Sequence, residues 1–174
     1  MDLPELIYGD AKALLKACTL LDKIFDAKSS EIKELQQLGR AVKLGFEKLD
    51  PILDKFTQPI CAECPTGCCV NSHAFPDFED LIFFKSIGLP WLDYDMTRPE
   101  HELCQFLGCT GCELLRIQRS YRCTWYFCDS LLIDFEKSNR ETFHIFNAES
   151  SALAVARNKL ILHFKYSLEG CWPL

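Results

Sequence analysis

The residues best equipped for chemistry are cysteines, and their spacing is uneven. Nine of the eleven lie between Cys61 and Cys128, and none lies between Cys18 and Cys61. They run Cys61-Ala-Glu-Cys64-Pro-Thr-Gly-Cys68-Cys69, then Cys104, Cys109-Thr-Gly-Cys112, Cys123 and Cys128. Two cysteines separated by two residues can both reach one small ion from a tight turn. Cys61–Cys64 and Cys109–Cys112 have that spacing, and Thr110-Gly111 suits a turn. One such pair is weak support for a metal site, but two pairs with five further cysteines point strongly to metal. All nine cysteines are therefore candidate ligands, and nine sulfurs exceed a single four-ligand site.

The ligand chemistry leaves the metal open between an iron–sulfur cluster and zinc. All-cysteine ligation and the Cys64-Pro65 pair favour iron–sulfur. Zinc takes four Cys or mixed Cys/His ligands, and His73 or His101 would complete a mixed set, ranked below every cysteine. Cys104-x4-Cys109-x2-Cys112 has the plant-ferredoxin spacing without its β-rich surroundings. A radical-SAM pattern is excluded, because Asn71 stands where the third cysteine of Cys64-x3-Cys68-x2 would be. Phe75, Phe78, Phe106, Trp125, Tyr126 and Phe127 crowd the same stretch, as the dry shell of a redox centre or as ordinary core. Cys18 falls on an apolar helical stripe and reads as a small core residue.

Composition narrows the class. The chain has 174 residues, 48% hydrophobic and 25% charged, with a net charge of −6. That fits one globular domain. Basic residues form no run longer than a pair, so no nucleic-acid partner is expected. No stretch reaches a membrane span, and the N-terminus lacks a signal-peptide pattern. Cys171-Trp172-Pro173-Leu174 has Trp and Pro where a prenylation box needs aliphatic residues. A cytoplasmic location follows as the expectation, and there reduced thiols suit metal better than disulfides.

The elements that must hold the cysteines read as mainly α. Leu14, Cys18, Leu21 and Phe25 repeat at helical spacing over residues 10–25. Ser29-Ser30 offers an N-cap for a second helix carrying Ile32, Leu35, Leu38, Val42, Phe46, Leu49, Leu53 and Phe56, with Pro51 expected to kink or restart it. A short helix begins near Phe75-Pro76 and stops at Gly88; residues 89–103 read as loop. Turns with a helical piece near 112–119 follow. Ser138-Asn139-Arg140-Glu141 is a capping box. Phe143, Phe146, Leu153, Leu160 and Phe164 mark a last helix with a break near 147–151 and a stop at Gly170. One domain, 1–174, is predicted: a helical hairpin over 1–57, a cysteine-rich metal-binding insert over 58–129, and C-terminal helices over 130–170.

The cysteine stretch resembles the YkgJ-type cysteine-cluster proteins, the zinc- or iron-chelating CxxCxxCC domain. The likeness is carried by Cys61-x2-Cys64-x3-Cys68-Cys69, by Asp80 heading a short helix that ends at Gly88, by Cys104-Gln-Phe-Leu, and by Cys112-Glu-Leu-Leu with Arg119 and Cys123. It covers residues 61–128. In the family the last piece usually reads Cys-x-Ile-Tyr-x-x-Arg-Pro-x-x-Cys-Arg; here Leu115 replaces the tyrosine, Ser120 the proline and Thr124 the arginine. The resemblance implies a metal-binding module.

Three functional readings follow. An iron–sulfur protein would transfer electrons to an unidentified redox partner protein. A zinc-stabilised module would present a surface to a partner. A thiol-redox enzyme would use vicinal Cys68-Cys69 or a Cys-x-x-Cys pair, with Arg116, Arg119 and Arg122 near the thiols, but no βαβ pattern surrounds either pair. No Ser/His/Asp set, phosphate-binding glycine loop or paired carboxylates stand out, so no catalytic residue is assigned.

Overall fold

Apolar periodicity and end caps account for most of the architecture. The computed structural model describes residues 3–27, 29–62, 68–137 and 140–167. Cys64, Ser138-Asn139, Gly170 and the Cys171-Trp172-Pro173-Leu174 terminus lie outside the described residues. Helix α1 (Ala11–Phe25) starts at Asp10, whose carboxylate accepts the Ala13 N–H at 2.9 Å. Helix α2 (Ser30–Ala62) starts at Ser29, whose hydroxyl accepts the Ile32 N–H, as the Ser29-Ser30 pair predicts. Then come α3 (Asn71–Ala74), α4 (Phe78–Ser86), a small antiparallel hairpin of β1 (Leu107–Gly108) and β2 (Gly111–Cys112), and a 3-10 turn at Arg116–Gln118. Helices α5 (Arg122–Trp125), α6 (Asp129–Glu136) and α7 (Arg140–Ser167) complete the described elements. The protein is mainly α.

Helix α4 shows how sharply short elements are bounded. Asp77 and Asp80 form a reciprocal capping box at its start, so the helix opens at Phe78, just after the expected Phe75-Pro76 opening. At its end Gly88 adopts φ +74, while the N–H groups of Gly88 and Leu89 donate to the carbonyls of Lys85 and Phe84. That is a Schellman stop, and a side chain at Gly88 would strain it.

One core joins the helices. Leu21 and Phe25 of α1, Leu35, Val42, Phe46, Leu49 and Leu53 of α2, Leu81–Phe84 of α4, and Leu153, Leu160 and Phe164 of α7 pack together. The principal partner of α2 is α7, and α1 lies against α4. The expected hairpin over 1–57 is thus not the main pairing, because the widest apolar face of α2 is covered by the C-terminal helix. Glycines allow close approach: a Cβ on Gly45 would sit 2.9 Å from Leu153, and one on Gly39 would collide with Ser86.

Two further expectations are corrected. Helix α2 continues through Pro51 and Pro59 as one element and does not restart. Helix α7 runs unbroken through 147–151, since Leu153 packs on α2 one turn later and holds the polar stretch helical. Beside the main core, Phe56, Leu131 and Phe135 form a second cluster with Phe127 and Phe146; Phe56 and Phe135 approach to 4.5 Å between ring centres. This cluster seats α6 at the lower end of α2, next to the cysteines.

Candidate metal centre

The structure gathers the cysteines around one space. Cys61, Cys68, Cys69, Cys104, Cys112, Cys123 and Cys128 all line a cavity of ≈ 370 Å³. They arrive from the end of α2, the pair before α3, the strap at Cys104, strand β2, helix α5 and the residue preceding α6. Cys109 is brought elsewhere. It sits exposed in the two-residue tip of the hairpin, while Cys112, the next cysteine in the sequence, lines the cavity. Gly111 takes φ +113, so the turn forms as Thr110-Gly111 predicts, but it separates the two thiols where convergence was expected.

Backbone clips between distant segments set these positions. Asn71 is 2% exposed, and its side chain accepts the Gln105 N–H at 2.9 Å and donates to the Pro99 carbonyl at 3.0 Å. Around it the Cys104 N–H donates to the Cys69 carbonyl at 2.9 Å, and the Asn71 N–H donates to that of Glu102. Asn71 therefore ties the 99–105 strap to the 68–71 segment and sets Cys104 beside Cys69. A buried amide with both ends satisfied is a strong positional constraint.

The opposite wall hangs from an arginine. Arg116 is 2% exposed, and its guanidinium donates to Asp50 and Asp54, both at 2.6 Å. Asp50, Asp54, Thr57 and Cys61 fall at i, i+4, i+7 and i+11, so one stripe of α2 faces the cavity. That spacing was available in the sequence as a signal. The α5 side is held by Ser120, which donates to the His73 carbonyl at 3.3 Å and lies 3.4 Å from Cys123 Sγ. Next to it the Tyr121 N–H donates to Asp80 at 3.1 Å. Asp80 also accepts from Arg157, whose guanidinium lies 4.5 Å above the Tyr121 ring and pairs with Glu79. Burial and the Asp77 carboxylate push Asp80 up to about 7, against the pull of Arg157 and two backbone N–H groups.

The thiols sense one another. Burial raises Cys69 far above an ordinary thiol, with further contributions from Cys68, Cys123, Cys61 and Cys104. Cys104 is raised by burial and by Cys112 and Cys123, although the Phe106 backbone N–H opposes the shift. Cys123 is raised mainly by burial; Ser120 and Arg119 pull it down. Without a cation these sulfurs are neutral thiols, and a bound metal ion reverses that preference.

Other candidates sort readily. His73 lines the cavity, its Nδ1 3.3 Å from the Cys68 carbonyl oxygen, whereas the exposed His101 pairs with Glu100. Arg116 is occupied by its aspartates, Arg119 donates to the Leu114 carbonyl, and Arg122 is exposed. Phe106 and Tyr126 are on the cavity wall, Phe75 and Phe78 are buried, Phe127 joins the second cluster, and Trp125 is exposed. Cys18 is a core residue with its thiol pushed up to about 11 by burial and Asp22.

The donor chemistry fits a thiophilic metal, since soft sulfurs outnumber the oxygens of Asp50, Asp54 and Glu113 on the wall. The geometry is open: among the described residues no three His, Cys, Asp or Glu side chains are grouped as a metal site. No helix among them is long and apolar enough to cross a membrane. The chain matches no protein-family model, no curated protein and no solved structure.

Proposed function

We propose that this protein binds metal through the thiolates of the cavity, as an iron–sulfur cluster in preference to zinc, and that it serves in electron transfer with a protein partner. The observation that carries the reading is the meeting of seven cysteines, drawn from segments distant in sequence, on the wall of one cavity. Thiols scattered for packing alone would not share a cavity. The likeness of residues 61–128 to the CxxCxxCC domain points the same way.

Size supports the cluster. A tetrahedral zinc closes its ligands to about 2.3 Å and leaves little internal space. A cavity of ≈ 370 Å³ with sulfurs on several sides suits a polynuclear centre better. When bound, such a cluster supplies one-electron chemistry, and its potential follows burial and hydrogen bonding to sulfur. The chain's own part is to hold the thiolates, neutralise their mutual repulsion with Arg119, and shield them with Phe106 and Tyr126.

The test is purification without oxygen, followed by a visible spectrum and metal analysis on one sample. Broad visible absorption with stoichiometric iron supports the proposal. Colourless protein containing zinc would replace it with a structural module, and protein without metal would end both. In the metal-bearing protein Cys69→Ser and Cys123→Ser should lose the metal, whereas Cys18→Ser should retain it.

A further inference from the structure

We propose that Cys69 and Cys104 are an oxidative cross-link site: in the metal-free chain a peroxide joins them to each other in a reversible disulfide. The inference goes beyond the metal reading and names a pair that neither Cys-x-x-Cys motif nor the vicinal Cys68-Cys69 contains.

The backbone sets the two residues opposite each other. Val70 and Leu103 form an antiparallel bridge. On one side of it the Cys104 N–H donates to the Cys69 carbonyl at 2.9 Å, and on the other the Asn71 N–H donates to the Glu102 carbonyl at 3.0 Å. Cys69 and Cys104 are therefore direct cross-strand partners, whose side chains leave the same face of the pairing. Both line the cavity. Opposed residues of this hydrogen-bonded kind hold their Cα atoms about 5.5 Å apart, inside the roughly 4.4–6.8 Å that a disulfide spans. The Asn71 side chain locks the register, since it holds both Pro99 and Gln105. Among the described residues no other two cysteines are opposed in this way. In the hairpin Cys112 stands opposite Leu107, and Cys109 is at the exposed tip. Cys68 and Cys69 share a trans peptide, which sets their Cα atoms about 3.8 Å apart and below the usual span.

The chemistry needs only a peroxide small enough to enter the cavity. Cys69 is half-buried and Cys104 buried, so Cys69 meets the oxidant first. Its sulfur attacks one peroxide oxygen, the O–O bond breaks, and a sulfenic acid and one water form. The Cys104 sulfur then attacks the Cys69 sulfur. The S–S bond forms, the S–O bond breaks, and a second water leaves with the Cys104 thiol proton. Two thiols are oxidised to one disulfide, and one peroxide is reduced to two waters. The fold selects the pair at the second step, because the backbone already holds the attacking sulfur beside its target. Metal on these sulfurs and the cross-link exclude each other, since the link withdraws both from the ligand set.

The test takes the full-length protein, reduced and stripped by a chelator, and adds hydrogen peroxide in a time course. Samples are denatured in an alkylating agent, digested and mapped by mass spectrometry. The first link to form should be Cys69–Cys104, and a phosphine reductant should reverse it. The link should persist in Cys68→Ser and Cys109→Ser and vanish in Cys69→Ser and Cys104→Ser. Asn71→Ala keeps every thiol but frees the strap, and it should slow the link severalfold. A first link through any other pair, an unchanged rate in Asn71→Ala, or sulfinic acids without a link overturns the inference. The mapping uses the metal-free chain, so its outcome stands apart from that of the metal analysis: protein that never held metal would end the metal reading and still give this test its answer.

Discussion

The helical scaffold and the cysteine region are held together by different means. In the scaffold the buried contacts are apolar and redundant: Phe46 of α2 stacks on Phe83 of α4 at 5.2 Å, Leu153 of α7 seats on Gly45 of α2, and Phe164 and Leu160 are fully buried. Around the cavity single polar side chains do the holding: Asn71 for the strap, Arg116 for the 3-10 turn, Ser120 and Asp80 for the approach to α5. A redundant core resists local damage and fails as a whole. A region pinned by individual clips should fail one wall at a time.

The largest effect should come from the scaffold. Phe46→Ala should cost ~3–5 kcal/mol, the range for emptying a buried aromatic site. Chemical denaturation followed by helical and aromatic signals should show one coincident transition at lower denaturant; separate transitions would break the contrast. Arg116→Met removes charge-assisted bonds to partly exposed aspartates, which can return to water, and should cost about 2 kcal/mol. Hydrogen exchange should then loosen residues 112–119 and leave α7 protected.

Asn71→Ala should cost about 1–2 kcal/mol. Its signature is faster exchange at the Cys104 and Gln105 N–H groups with an unchanged far-ultraviolet spectrum. Equal loss of protection in α7 would show that the strap and the scaffold form a single unit. The smallest effect is expected from Cys109→Ser, within ~0.5 kcal/mol of wild type as for an ordinary exposed position. Metal content should persist in that variant. Loss of metal would mean that the hairpin tip folds inward on loading.

The same contrast explains what could be read from sequence. The stripe from Ile32 to Phe56 announced α2, and Gly88 announced the end of α4, because period and caps are local properties. The break expected near 147–151 does not form, because Leu153 on Gly45 is a tertiary contact that overrides local polarity. In the cysteine region residue type shows where thiols are concentrated, but not which of them face one another. That depends on Asn71 reaching residues 99–105 and Arg116 reaching Asp50 and Asp54. In the sequence Asn71 marks only the position where a third cysteine would stand.

The pairing of α2 with α7 has a consequence for biosynthesis. Helix α2 ends at Ala62, and its main partner begins only at Arg140, so the ribosome must deliver the whole cysteine region before the scaffold can close. Until then the stripe of α2 has no α7 to cover it, and the thiols emerge on an unfinished chain. Burial of the α2 stripe is late by construction, since it waits for contacts distant in sequence. The nascent protein therefore passes through a stage in which its cysteines are at their most accessible, to metal donors and to oxidants alike.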